Sequence, residues 1–431
     1  MRSRLRAVSV IVALSTLVVG LSTVASGALR TSVATPRLLT HTITLKLPAP
    51  FRPVAPKGST DLYHCSLLDP KITTDQMIVK STFVPGHLSE VHHAILYLVP
   101  KALASIARSA DDHGRGWTCF GGPAAPGAGQ ALGNFGNSIW LAGWSPGRGS
   151  NFEPAGTGVP LPAGSLIVMQ VHYNLLAGSY PDQSKAVFTT VDAKGSGLLP
   201  LTLKLLPAPI NMPCPAGVTG ALCSRSRSLA DIGRRFGQSA VDFDNGLQAV
   251  CSKSSPRPGD TASCTWPVFG SYRLLAITPH MHLLGLTMTV TLDPGTSKSK
   301  VLLNVPNYDF HYQRSYDVTP ITLNSSDTVQ VSCTFDPKLR GELPYLKNLP
   351  PRYVLWADGS SDEMCLAIMS VVSTSAVPMA RVNSSAQTPN ISWPSELNQA
   401  IANFEATPGE SEAARNSLLA QITSHLAHCG L

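Results

Sequence analysis

Between Tyr63 and about Leu205 the apolar residues come in short runs, such as 94–99 and 166–171, separated by clusters of Gly and Pro. The stretch 121–136 is especially loop-like. Runs this short, with almost no helical periodicity, predict the strands of an antiparallel β-sandwich. A second body of the same kind extends from about Pro207 to Pro378, with strands predicted at 272–277, 286–292, 329–335 and 366–372. Leu206-Pro207-Ala208-Pro209, between the two, reads as a stiff extended connector. An alternating run from His41 to Leu47 predicts one strand in a leader rich in Thr, Pro and Val. The tail changes period. Leu397, Ile401 and Phe404 fall at helical spacing, and after Pro408-Gly409 the residues Leu418, Ile422, Leu426 and Cys429 share one face of a second helix. The expected fold is therefore all-β, with two tandem antiparallel β-sandwich domains at 61–205 and 206–380, preceded by a leader at 29–60 and followed by a helical tail at 381–431.

The first 28 residues change the picture of where the chain resides. Arg2, Arg4 and Arg6 precede an uncharged, largely apolar stretch from Ala7 to Val24, and Ser26-Gly27-Ala28 offers small residues for cleavage, so 1–28 reads as an export signal. An uncleaved anchor is the alternative, although Ser9, Ser15, Thr16, Gly20, Ser22 and Thr23 dilute the run. No second apolar run of that length follows, so the body is expected to be secreted and soluble. With 431 residues, 43% hydrophobic and 14% charged, the chain has room for two ordinary domains and a sizeable core. The formal charge of +7 falls to +4 without residues 1–28, too little and too scattered to indicate nucleic acid. Nine cysteines without any C-x-x-C pair fit an oxidised, exported protein. The short separations Cys214…Cys223 and Cys251…Cys264 look like loop staples, and the odd count leaves Cys429 as the expected free thiol. Asn324, Asn383 and Asn390 each begin an N-x-S/T sequon.

Histidine is where chemistry enters. In Thr278-Pro279-His280-Met281-His282, strand alternation sends His280 and His282 to one side, where they can share a metal, while Met281 points away. In Val91-His92-His93 the two rings would point to opposite faces of a regular strand, so joint ligation requires a bulge or a strand end, with His172 of Gln170-Val171-His172 arriving from elsewhere. A buried, hydrogen-bonded pair is the plainer reading of that doublet. Met364, Leu366 and Ile368 share one face and Cys365, Ala367 and Met369 the other, so the Met364 thioether can reach a metal while Cys365 enters a disulfide. A Met beside a Cys on a strand is, however, ordinarily core. Soft sulfur with imidazole favours copper over magnesium or calcium, and a three-ligand set leaves a position for oxygen. Gln170, two residues before His172, shares its strand face and is a candidate to orient that ring from behind, with a plain sheet-face glutamine as the equal alternative. His425 and Cys429, four apart in the tail, read as part of a packed helix.

Taken in order, His-His, Gln-Val-His-Tyr, His-x-His and Ser-Ser-Asp-Glu-Met-Cys resemble the copper type II, ascorbate-dependent monooxygenases, typified by peptidylglycine α-hydroxylating monooxygenase and dopamine β-monooxygenase. The resemblance spans roughly residues 60–375 and includes Leu62-Tyr63-His64-Cys65 and Gly116-Trp117-Thr118-Cys119. It implies two jelly-roll-like sandwiches, each with one copper ion, facing across a wet cleft. It implies that His92, His93 and His172 hold the ion that stores and passes an electron. The ion that meets dioxygen and the substrate C–H bond would be held by His280, His282 and Met364, with ascorbate or an equivalent as reductant. Disulfides Cys65–Cys119 and Cys333–Cys365 are implied as well; the family partner of Cys264 has no counterpart here, which leaves Cys251. Inserting one oxygen atom consumes two outside electrons, and two single-electron centres supply them.

The departures limit what is carried over. In the peptide-amidating members an arginine two residues before His-x-His and a tyrosine three after the Met-Cys cysteine grip the substrate's carboxylate; Thr278 and Ile368 stand here, so peptidylglycine is not the expected substrate. The expectation is a secreted dicopper monooxygenase acting with O2 on a small organic molecule, and the rival is a non-catalytic copper-binding or copper-sequestering protein. Gly143-Trp144-Ser145-Pro146-Gly147 matches a nucleophile elbow only as a string, because Pro146 sits where a helix should begin. His41, His64, His87, His113 and His311 are expected to be structural or surface residues, with His64 and His87 close enough in sequence to stand behind the first site.

Overall fold

The computed structural model describes residues 38–56, 59–111, 113–125, 132, 138–147, 149–251 and 258–374. The export signal, the tail helices with His425 and Cys429, and the sequons at Asn383 and Asn390 lie outside the described residues.

Strands Thr40–Lys46, Lys185–Asp192, Gln76–Val84 and Thr157–Leu161 run side by side in that order. A five-stranded sheet has the order Trp117–Thr118, Asp61–Leu68, Leu166–Asn174, Val91–Val99 and Ile139–Trp144. Ile78, Phe83 and Phe188 of the first group share one buried core with Leu62, Leu96, Met169 and Val171 of the second, as layers of a sandwich do. The outer face of the five-stranded sheet is also covered: Cys65, Tyr97 and Val168 pack there against Ala107, Trp117 and Cys119. That double burial explains why Leu166–Asn174 reads as an almost unbroken apolar run rather than an alternating one.

The second half repeats the plan. Thr261–Pro267, Thr328–Phe335, Gly285–Leu292 and Lys300–Val305 form one sheet, and Leu199–Ala208, Cys365–Ser373, Tyr272–Met281 and Tyr316–Leu323 lie opposite. Ile277, Met288, Val290, Val331 and Val371 meet in a common core. The protein is thus all-β, built of sandwich layers, and the four strands predicted in this half are present with ends extended by up to four residues.

Two elements differ from expectation. Residues 206–208 are no free connector but the end of strand Leu199–Ala208, with Leu206 opposite Ala367 and Pro207 opposite Leu366. Proline is accommodated because the other neighbour, Thr157–Leu161, pairs only with Leu199 and Pro200, so a missing N–H on that side leaves no rung unmade. The same short parallel contact makes one layer continuous through both halves. The second difference is a pair of helices, Arg225–Phe236 and Gln238–Cys251. The first buries Ser228, Asp231, Ile232, Arg235 and Phe236, a helical stripe at spacings of three and four. Two of those five residues are charged, so hydrophobic periodicity alone did not reveal it.

All four expected disulfides form, Cys65–Cys119, Cys214–Cys223, Cys251–Cys264 and Cys333–Cys365. They fit an oxidising environment. Among the described residues no helix is long and apolar enough to cross a membrane.

Candidate metal centres

Strand Val91–Val99 carries a bulge at the position the histidine doublet demands. Val91 lies opposite Tyr173 and His93 opposite His172, so one extra residue, His92, is inserted between consecutive rungs. Burial parity agrees: Val91 lies in the same core as Ala94, Leu96 and Leu98, a slip of one that puts both imidazoles outside that core. The result is convergence. His92 Nδ1 lies 3.2 Å from His93 Nδ1 and 3.2 Å from His172 Nδ1, and the third side of the triangle is 3.3 Å.

Those lengths are informative. Imidazole nitrogens bind a first-row ion such as zinc at about 2.0–2.1 Å, so three corners of a tetrahedron stand about 3.3–3.4 Å apart and three corners of a flat triangle about 3.5–3.6 Å. The observed triangle matches the tetrahedral face, which leaves one position over. Protonation also suits a metal. Burial, and after it the neighbouring His172, holds His92 and His93 well below the ordinary histidine range, so their lone pairs are free at neutral pH. His172 is oriented from behind: its Nε2 donates to Asp61 Oδ1 at 2.8 Å, both residues almost fully buried, which leaves Nδ1 unprotonated and aimed at the other two. Tyr63 stacks on the same ring at 4.1 Å and 13°.

Gln170 does not take the orienting role expected of it. Its amide donates to the carbonyls of Cys119 and Gly122 and accepts from the Tyr97 hydroxyl, so it fastens the chain after the Cys65–Cys119 bridge. Asp61 does the orienting instead. Its place was legible in the alternation Asp61, Tyr63, Cys65, which puts the carboxylate on the sheet face of His172.

The second set is built on the ladder between Tyr272–Met281 and Cys365–Ser373. His280 lies opposite Leu366 and Met281 opposite Cys365, where the ladder ends, so His282 and Met364 are the residues just beyond it. Cys365 is bonded to Cys333, and Met364 is buried in the same apolar core as Met281 and Leu366. The rings of His280 and His282 stand 5.4 Å apart. His280 Nδ1 donates to Gln313 Oε1 at 2.7 Å, with the Gln313 amide turned by its own bond to the Phe310 carbonyl. His282 Nδ1 donates to the Asp362 carbonyl at 3.2 Å. Both rings thus present Nε2, whereas the first set presents Nδ1. Burial lowers both, His282 to about 3 with His280 adding to the effect.

Glu363 ties this set together. Its Oε2 accepts from the backbone N–H of His282 at 2.8 Å and of Met364 at 3.2 Å, and Oε1 accepts from Leu284 N–H at 2.6 Å. Burial nonetheless pushes its carboxyl up to about 8. Beside it, Asp362 receives two hydrogen bonds from Arg235 and one from Arg352, and Arg235 also grips Asp231. Burial alone would raise Asp362, but the two guanidinium groups outweigh it and hold the carboxyl at about 2. The unpredicted helix Arg225–Phe236 thereby clamps the loop that delivers Met364.

The two sets are not separated by the wet cleft that the resemblance implied. The rings of His93 and His280 are 6.3 Å apart, and Phe310 stacks on His92 at 4.5 Å while meeting His282 edge-on at 6.2 Å. Ser145, from the string that resembled a nucleophile elbow, donates to the Gln313 carbonyl and helps hold this loop across the two halves. Of the other histidines, His64 stacks on Phe51 and His87 on Tyr180, and His311 is exposed next to Phe310.

No family model matches the chain, and no curated protein matches it. Among solved structures the chain is similar to the major capsid protein P2 of bacteriophage PM2, at 9% identity over 78% of this chain and 98% of that one, with a TM-score of 0.28. Peptide N-glycanase F aligns at 8% identity over 78% and 97%, with a TM-score of 0.27. Allantoicase aligns at 9% over 69% and 86%, with a TM-score of 0.17. Scores this low say nothing about what the chain does.

Proposed function

We propose that this protein is a secreted copper monooxygenase with two centres, one held by His92, His93 and His172 and the other by His280, His282 and Met364, acting with O2 and an ascorbate-like reductant on a small organic molecule. The observation that carries the reading is the 3.2–3.3 Å triangle of Nδ1 atoms, closed by a bulge and by Asp61, in the same protein as an independent His-x-His pair whose Nδ1 protons are both engaged elsewhere. A structural histidine cluster has no need for lone pairs left facing one another. Bound copper would supply single-electron transfer and an open coordination position for oxygen. The residues supply the rest. Asp61, Gln313 and the Asp362 carbonyl hold tautomers, Glu363 sets His282 and Met364 in register, and Phe310 restricts water beside His92 and His282.

Phe310 also supports a second reading, a copper-holding protein without turnover, because its ring fills space between the sets. One experiment separates them. Full-length, disulfide-bonded protein is loaded with copper and oxygen uptake is followed with ascorbate, with and without a small-molecule library. Two ions per chain and substrate-dependent uptake support the oxygenase; two tightly held ions and no coupled uptake support the holder. Metal content unchanged by alanine at His280 and Met364 would sink both.

A further inference from the structure

Asp61 Oδ1 accepts two hydrogen bonds. One comes from His172 Nε2 at 2.8 Å, and the other from Ser360 Oγ at 3.0 Å, 299 residues away in the chain. We infer that Ser360, from the loop that delivers Met364, is a positioning residue for the distant His92–His93–His172 set and sets how readily a copper ion there is reduced. This rests on the reading above that both sets hold copper.

The loop is built to reach both sets. Two residues before Ser360, the Asp358 carbonyl accepts from the hydroxyl of Tyr63, whose ring stacks on His172. Two residues after it, the Asp362 carbonyl accepts from His282 Nδ1, and Met364 follows. The backbone between is pinned by Arg340, which donates to the Ser361 carbonyl at 2.7 Å, and by Arg235 and Arg352 on Asp362. Gly359 allows the close approach: a Cβ there would stand 2.6 Å from Asp362 Oδ2 and 3.0 Å from the Phe236 ring. Ser360, 5% exposed, is therefore presented to Asp61 by a rigid loop rather than meeting it by chance.

The chemistry gives a direction. A hydroxyl donating to Oδ1 draws charge from that oxygen and weakens its pull on the His172 Nε2 proton, which leaves Nδ1 a poorer electron donor. Without the hydroxyl, Asp61 pulls harder, Nδ1 becomes more electron-rich, and the oxidised ion is favoured.

The test compares copper-loaded Ser360→Ala and Ser360→Thr with the wild-type chain in redox titrations followed by electron paramagnetic resonance. Each centre is read alone in a background where the other set's histidines are alanine. For Ser360→Ala the balance at the first centre is expected to move toward Cu(II) by threefold or more, where tenfold corresponds to about 59 mV for one electron. The second centre is expected to stay in place, and Ser360→Thr to restore the wild-type value. A first centre that does not move overturns the inference, and so do two centres that shift together without rescue by threonine, the mark of lost packing. Failure of the wild-type protein to hold two ions ends this inference together with the proposed function; two ions with an unmoved first centre ends only the inference.

Discussion

His172 Nε2–H donates a hydrogen bond to Asp61 Oδ1 across 2.8 Å, with the ring 1% exposed and the carboxylate residue 2% exposed. A buried bond of this kind fixes one tautomer, and it converts a neutral histidine into a ligand aimed by its back side. Asp61→Asn keeps the size of the side chain and removes its charge. Metal affinity at the first set is expected to fall by about 10–100-fold, the range for a lost carboxylate behind a ligand. Competition with a chelator of known affinity measures it, and equal affinities would show that Asp61 does not orient the ring.

Met364→Leu tests the second set with little damage to the fold. The swap conserves volume, and such changes cost less than about 1.5 kcal/mol. The thermal midpoint should move little, while the sulfur contribution to the copper X-ray absorption spectrum disappears and ascorbate-driven oxygen uptake falls by about tenfold or more. A spectrum that keeps its sulfur signal would place Met364 off the metal.

Arg235→Met removes one of the two arginines that join Asp231 to Asp362 inside the protein. Breaking a buried ion pair from one side leaves charge uncompensated, and about 3–5 kcal/mol of stability should be lost. Denaturant unfolding of the metal-free protein gives the value. A loss under about 1 kcal/mol would mean that Arg352 alone holds Asp362.

Acid should destabilise the metal-free protein through His282. Burial, and then His280, lowers it from 6.5 to about 3. Above pH 6.5 the ring is neutral in both the folded and the unfolded chain and adds no pH dependence. Below 6.5 the unfolded chain takes up a proton that the folded one refuses, so stability falls with pH until about 3, at about 1.4 kcal/mol per unit. Between pH 7 and pH 5 the wild-type protein should therefore lose about 2 kcal/mol more than His282→Gln, measured by urea unfolding of both at each pH. Glu363 and Asp358, pushed up by burial to about 8 and about 7, act in the opposite sense, which is why the comparison with the variant is needed.

Much of the site was legible because β-structure has a short period. His280-x-His282 needed only alternation to share a face, whereas joint ligation by the His92-His93 doublet required a bulge or a strand end, since no regular strand turns two successive rings the same way, and the structure supplies the bulge. Gln170 shows where that logic stops: alternation put it on the face of His172, but hydrogen-bond partners are chosen by whatever lies nearest in space, and those were Tyr97 and the chain after Cys119. The helix Arg225–Phe236 escaped because two of the five residues in its buried stripe are charged, and a buried charge is recognisable only once its partner is known.

By itself the amino-acid order determined the all-β layers, the strand faces and the residue types able to ligate a soft metal, because each depends on neighbours two to four positions away. Only the tertiary structure decided that Asp61 stands behind His172, that Ser360 reaches it across 299 residues, and that Phe310 lies against both histidine sets. Those contacts depend on where the chain returns after hundreds of residues, and no local period encodes the return.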